Sequence, residues 1–307
     1  MSQHSSMILF VCLIVESVLM IVSNLVAVRV IVSLNKIKVS FYNLALALLF
    51  ASHFTTGAAL FIKAILNLTN AHDNVVNLIV LIRDCSISLE INFTILLSFE
   101  RFIAVWKPFL YAKLTTRHGA AAIGAVLTLT AFFTVWRTIS TKAYISAFFV
   151  TIIGAVMIIV SNFLLYRSVK RQCRRIAATI VDRSSKQQHD KRQGIKNREL
   201  RSLKVCLFIA CSYILTWVPL IIIQTIFRND SSMILLVNFL AILTFTNGIW
   251  DVFIYFALNL KARTKLLIFL HLSKAVVKRK YSDMYVTAAF SPTVILKKNS
   301  FKETVGL

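Results

Sequence analysis

The chain alternates long apolar runs with short polar or basic interruptions. An apolar run of at least about 18 residues can cross the roughly 30 Å hydrocarbon layer as a helix that satisfies its own backbone hydrogen bonds. Seven such runs occur, at about 7–33, 41–65, 76–104, 119–138, 142–166, 202–227 and 232–257. The pattern therefore predicts an all-α membrane protein, a bundle of seven transmembrane helices. Most interruptions are short. The exceptions are 167–201, rich in Arg, Lys and Gln, and a tail from about 258. Between Thr179 and Asn197 no apolar period is present, so both polar segments are expected to be flexible in large part. No inverted internal repeat of the kind found in transporters is visible. The first run has no basic flank and no small-residue cleavage site ahead of it, so it is read as a retained span rather than a signal peptide.

Composition agrees with the pattern: 58% of the residues are hydrophobic and the mean hydropathy is +0.75, far more than a soluble core of this length needs. Charge adds an orientation. Of the 35 basic residues, 28 fall in 34–40, 105–118, 167–204 and the tail, which alternate along the chain with the other connections. Lys and Arg are retained on the cytoplasmic side, so the N-terminus is expected outside and the tail inside, in the plasma membrane. The net charge of +23 then reads as a basic cytoplasmic face attracted to anionic membrane lipid, and nucleic acid is not expected as a partner. Two glycosylation sequons, at Asn67 and Asn229, fall in connections expected outside; a third, at Asn92, lies within a span and is expected to be unused. None of the five cysteines lies clearly in an external loop, so no external disulfide is expected.

One stretch does not fit a plain membrane anchor. LSFERFIAVWKPFLY, Leu97 to Tyr111, places an acid and a base, Glu100 and Arg101, directly after an apolar run. Removing such groups from water is costly unless they are paired or reach an interface. ERFIAVWKPFLY resembles the DRYxxVxxP motif that ends the third helix of rhodopsin-like (class A) G-protein-coupled receptors, through Glu100, Arg101, Phe102, Val105 and Pro108. Further stretches resemble the family's motifs in order: Asn24 in SNLVAV, NLALA from Asn43 to Ala47, Tyr166, TWVP from Thr216 to Pro219, NGIWDVFIY from Asn247 to Tyr255, and NLKARTKLLIFLHL. The last resembles the short amphipathic cytoplasmic helix 8, at about 259–273, which would end a receptor domain of 1–273 before a basic tail of 274–307.

The resemblance implies roles. Arg101 would pair in the resting state with Glu199, 18 residues before Trp217, and would rise into the G-protein cavity on activation, with Tyr166 and Tyr255 as inward-turning partners. Trp217 and Pro219 would form the switch of helix 6, since proline removes a backbone hydrogen bond and bends the helix. The ligand pocket would draw on Arg83, Asp84, Ile87, Ser88, Trp217, Ile221, Gln224, Ala241 and Phe245. Arg83 disfavours an amine and favours a neutral or anionic small ligand, unless it merely pairs with Asp84. Phe245 stands where a retinal-binding lysine would be, which argues against a light sensor.

Departures from the family pattern raise further expectations. Leu48 is read at the place of the acid that usually ends NLAxAD, the main sodium ligand of the family, while Glu90 is ionisable in mid-span. Two readings of Glu90 stand: a relocated sodium or polar network of Asn24, Glu90, Asn247 and Asp251, or a protonated Glu90 hydrogen-bonded to its neighbours with no ion. The helix 3 cysteine, the helix 5 proline and the proline after Asp251 are missing, absences partly shared with melanocortin, cannabinoid and lysophospholipid receptors. The function expected is a receptor passing an extracellular small-ligand signal to a heterotrimeric G protein. A transporter or channel using Glu16, Glu90 and Asp251, or a receptor-like protein that does not couple, are the alternatives. With no paired nucleophile and base, no metal-ligand cluster and only seven glycines, an enzyme is not expected, nor is any cofactor.

Overall fold

The computed structural model describes residues 3–34, 41–69, 72–113, 116–139, 152–167, 171, 186–227 and 233–270. Among them there is no strand. The helices are α1 (Gln3–Leu34), α2 (Phe41–Leu68), α3 (Asp73–Trp106), α4 (Pro108–Lys113), α5 (Thr116–Ile139), α6 (Ile152–Arg167), α7 (Lys186–Ile226), α8 (Ile234–Phe245), α9 (Asn247–Leu258) and α10 (Leu260–Phe269).

Five stretches are long and apolar enough to cross a membrane: Met7–Leu34, Phe41–Leu68, Arg117–Trp136, Lys204–Ile226 and Ile234–Leu258. The chain is thus an all-helical protein with several membrane-compatible helices. The other two expected spans differ for separate reasons. α3 has ample length, but Arg83, Asp84, Glu90, Glu100 and Arg101 lie along it. α6 is apolar, and its described part is short.

Helix ends follow local chemistry. Asn74 N–H donates to Nδ1 of His72 ahead of α3, and Asp73 sits in the first turn, where a negative charge suits the helix dipole. α3 stops at Trp106 because the residue before a proline is driven out of the helical region, and Lys107 has φ −129° and ψ 71°. α7 begins at Lys186, well before the span expected from about 202. The chain is helical there although no apolar period announced it: Lys, Gln, Arg and Glu are good helix formers, and a helix without an apolar stripe leaves no periodic trace. The last span is two helices separated at Thr246. Asn67 lies in the last turn of α2, exposed, rather than in a loop; Asn229 and the connection around Ser140 lie outside the described residues.

The bundle Met1–Asn259 is inside-out relative to a soluble domain. Val11, Val15, Val18, Leu19, Val22 and Leu25 of α1 and Phe132, Val135 and Trp136 of α5 are exposed, whereas Asn24, His53, Thr56, Glu90, Ser98, Thr244, Asn247 and Asp251 are buried. Apolar surface of this extent outside and polar groups inside is the arrangement lipid requires. α3 lies against α2, α5 and α7, α1 against α2 and α9, and α7 against α8 and α9. Gly57 lets α1 approach α2, since a Cβ there would stand 3.2 Å from the Met20 Cβ. Gly154 brings α6 onto α3, where a Cβ would stand 3.1 Å from Ile91 Cγ2. Leu260–Leu307 forms a separate unit, described only through α10, on which Lys261 and Arg263 are exposed.

Candidate functional site

At the Trp106 end of α3, Arg101 is held by the acid beside it. Its Nε and Nη2 both donate to the Glu100 carboxylate, whose side chain is 2% exposed. Neighbours one residue apart do not normally face each other on a helix, so the long arginine side chain must curl back to make this fork. Tyr111 of α4 donates its hydroxyl to Glu100 and stands 3.3 Å from Arg101 Nη2. Partial burial, then the Glu100 charge, push the Tyr111 phenol up to about 12, so it remains a donor at any physiological pH. Above the plane of this fork, the guanidinium lies 4.2 Å from the Tyr42 ring centre on α2, a desolvated cation–π contact. Cys206 of α7 in turn lies 3.9 Å from the Tyr42 hydroxyl. The arginine is therefore wedged between α2, α3, α4 and the flank of α7.

Glu199 belongs to α7, but its side chain lies outside the described residues, as do those of Val105 and Pro108. Pro108 opens α4. Tyr255 is buried and meets Phe50 edge-on at 5.6 Å, whereas Tyr166 is 57% exposed.

A second cluster lies deep in the bundle. Of Asn24, Glu90, Asn247 and Asp251, expected to form one polar network, Glu90 and Asp251 meet at a residue that sequence reasoning passed over. His53 of α2 places Nδ1 3.2 Å from Glu90 Oε1 and Nε2 3.2 Å from Asp251 Oδ2. Thr56, one helical turn on, donates to Glu90 Oε1 at 2.5 Å. Ser212 of α7 lies 2.9 Å from Asp251 Oδ1, and Asn247 Nδ2 lies 3.5 Å from Asp251 Oδ2. Asn24 Nδ2 donates to the carbonyls of Met20 at 2.9 Å and Gly248 at 3.2 Å, tying α1 to α9. The residue facing the two acids from α2 is thus His53, not Leu48, five positions earlier and only partly buried. A helix turns 100° per residue, so that offset carries Leu48 to a different face.

This arrangement does not fit the sodium reading. The imidazole, 3.2 Å from an oxygen of each, occupies the space between the two carboxylates that a metal ion bridging them would need. Gly248 makes the ring's position possible: a Cβ there would stand 3.0 Å from His53 Nδ1 and 3.2 Å from Met20 Sδ.

The expected switch and pocket residues form packing rather than a row of free contacts. Trp217 stacks on Tyr213 at 5.8 Å, and both join Ile91, Ile158, Ala210 and Ile221 in one apolar cluster against which Ile87 packs. α7 continues through Pro219, and Thr244 of α8 donates at 3.0 Å to the carbonyl of Thr216 beside it. Ser88 turns back to the carbonyl of Asp84 at 2.9 Å, Gln224 is exposed, and Ala241 and Phe245 are half-buried. Arg83 donates through Nε and Nη2 to Asp84 Oδ1 at 3.0 and 2.8 Å, the pairing that competes with ligand contact. Asn92, the mid-span sequon, donates to Thr130 of α5 at 2.9 Å.

His53, Thr56, Ser212, Tyr42 and Tyr111 were all missed. His53 carried a usable signal, since an ionisable group within an apolar run needs a partner as much as Glu90 does. The hydroxyls and phenols carried none, being common in such runs. No protein-family model matches the chain, and no curated protein matches it.

Proposed function

We propose that the chain is a seven-helix receptor of the rhodopsin-like kind, in the plasma membrane with its N-terminus outside, which passes the binding of a neutral or anionic small ligand to a heterotrimeric G protein. The single observation that carries this reading is the sequestered arginine at the end of α3. An arginine whose side chain is only 13% exposed, gripped by Glu100 and covered by Tyr42, is a costly arrangement with no value for a plain anchor, but it suits a group kept out of reach until a partner calls for it. Cys206 beside Tyr42 couples that cover to α7, the helix with the internal proline, so a swing of α7 would loosen it. The resting pair is then Arg101 with Glu100, and Glu199 is a further acid on the moving helix.

Expression of the full chain in cells, with second messengers recorded against lipids, nucleosides, peptides and small acids, tests the reading. Arg101→Ala is expected to lose the response, and Glu100→Gln and Glu199→Ala to raise basal signalling. A chain whose second messengers respond to none of the panel and to none of the three substitutions is not such a receptor. Substrate flux instead would support the transporter reading, which Glu16 favours: its two carboxyl oxygens are buried with no hydrogen-bond partner among the described residues.

A further inference from the structure

His53 of α2 faces one acid from α3 and another from α9, and the hydrogens available there limit where charge can reside. A neutral imidazole has one N–H and one lone pair, so it can donate to only one of two carboxylates. His53 nevertheless stands 3.2 Å from an oxygen of each. On the Asp251 side, Oδ2 faces both His53 Nε2 and Asn247 Nδ2, and the latter can only donate, so we assign this oxygen as the carboxylate acceptor and Nε2 as the nitrogen that carries hydrogen. On the Glu90 side, Oε1 receives the Thr56 hydroxyl and faces Nδ1, leaving one proton to be assigned to Glu90 or to His53. Either assignment leaves the three groups with one net negative charge. The imidazole is the stronger base, and with the proton on Nδ1 it lies between two negative charges at contact distance.

We infer that His53 is a resident imidazolium, the chain's own cation, standing between Glu90 and Asp251 and clamping α2 to α3 and α9. The surroundings from every packed element agree. α1 contributes Asn24 and Met20, which are uncharged. α7 contributes Ser212, whose one hydrogen is shared between Asp251 and the Ile209 carbonyl at 2.8 Å, and the Tyr213 hydroxyl, buried with no hydrogen-bond partner among the described residues. No second cation faces the two acids among the described residues, so without this proton two buried negative charges would be left uncompensated.

Two measurements on the full chain in lipid nanodiscs test this, and neither depends on the chain being a receptor. With nitrogen-15 histidine and a His53→Gln sample for assignment, both His53 ring nitrogens are expected to show N–H signals at neutral pH. An unprotonated Nδ1 would put the proton on Glu90 and overturn the inference. In thermal melts in sodium chloride against choline chloride, the wild-type midpoint is expected to be the same in both. His53→Asp, which replaces the cation by a third carboxylate, is expected to melt higher in sodium. A wild-type chain stabilised by sodium over choline, or a folded His53→Asp chain indifferent to it, overturns the inference. If His53→Asp does not fold, the nitrogen spectrum and the wild-type melts still decide.

Discussion

Gly248→Ala probes how firmly the central imidazole is held. Its backbone is ordinary helix, so in an open position the added methyl would stabilise by about 0.5–1 kcal/mol through lost chain entropy. Here the new Cβ would stand 3.0 Å from His53 Nδ1, 3.1 Å from His53 Cγ and 3.2 Å from Met20 Sδ. Met20 can bend away. The ring cannot follow without lengthening its contacts to Glu90 or Asp251, both at 3.2 Å. Overpacking of this kind costs about 1–3 kcal/mol, so the net expectation is a loss of about 1–2 kcal/mol, a melting midpoint lower by a few degrees. Gly124→Ala is the control, because a Cβ there meets nothing within 4 Å, and it is expected to be neutral or slightly stabilising. Thermal melts of the purified chain in detergent, with His53→Ala added to each, complete a double-mutant cycle in which removing the ring abolishes the Gly248→Ala penalty. A Gly248→Ala chain that melts like the Gly124→Ala control, or a penalty unchanged without the ring, would show that the imidazole is not pinned.

The other predictions concern the remaining contacts. His53→Ala leaves Glu90 and Asp251 without their shared donor and is expected to cost about 3–5 kcal/mol, read from the same melts; adding Glu90→Gln and Asp251→Asn should recover part of the loss. Tyr111→Phe removes one donor from Glu100 while leaving the arginine fork, so basal second-messenger output is expected to rise less than with Glu100→Gln; an equal or larger rise would place the constraint in α4. Thr130→Val strips Asn92 of its partner on α5 and is expected to cost about 1 kcal/mol of stability, with no loss implying that Asn92 finds another acceptor. Asn67 is exposed at the end of α2, so in cells a glycosidase-sensitive band shift abolished by Asn67→Gln is expected; its absence, with a shift at an inward-assigned segment, would reverse the orientation.

What could be read from the sequence alone was what depends on local pattern. Run length and hydropathy determined that the chain is helical and membrane-compatible, and Glu90, Glu100 and Arg101, within or directly after apolar runs, were identified as residues that lipid would not tolerate unpaired. Of the polar residues expected together, Asn247 lies 3.5 Å from Asp251, whereas Asn24 reaches the carbonyls of Met20 and Gly248. The partners were a different matter. The contact from His53 to Asp251 spans 198 residues and that from Thr56 to Glu90 spans 34, and each depends on the rotation and axial register of two helices. Periodicity assigns a face to a helix, but an error of a few residues in register turns that face away, and no apolar period on α2 pointed to His53. The fork between Glu100 and Arg101 was hidden differently, because adjacent residues on a helix are not expected to meet until a phenol from α4 and a ring from α2 confine the arginine. Only the packed bundle decides whether a buried charge is met by its neighbour in sequence, by a distant helix or by an ion, because that choice rests on distances of a few ångströms across elements the local pattern cannot align.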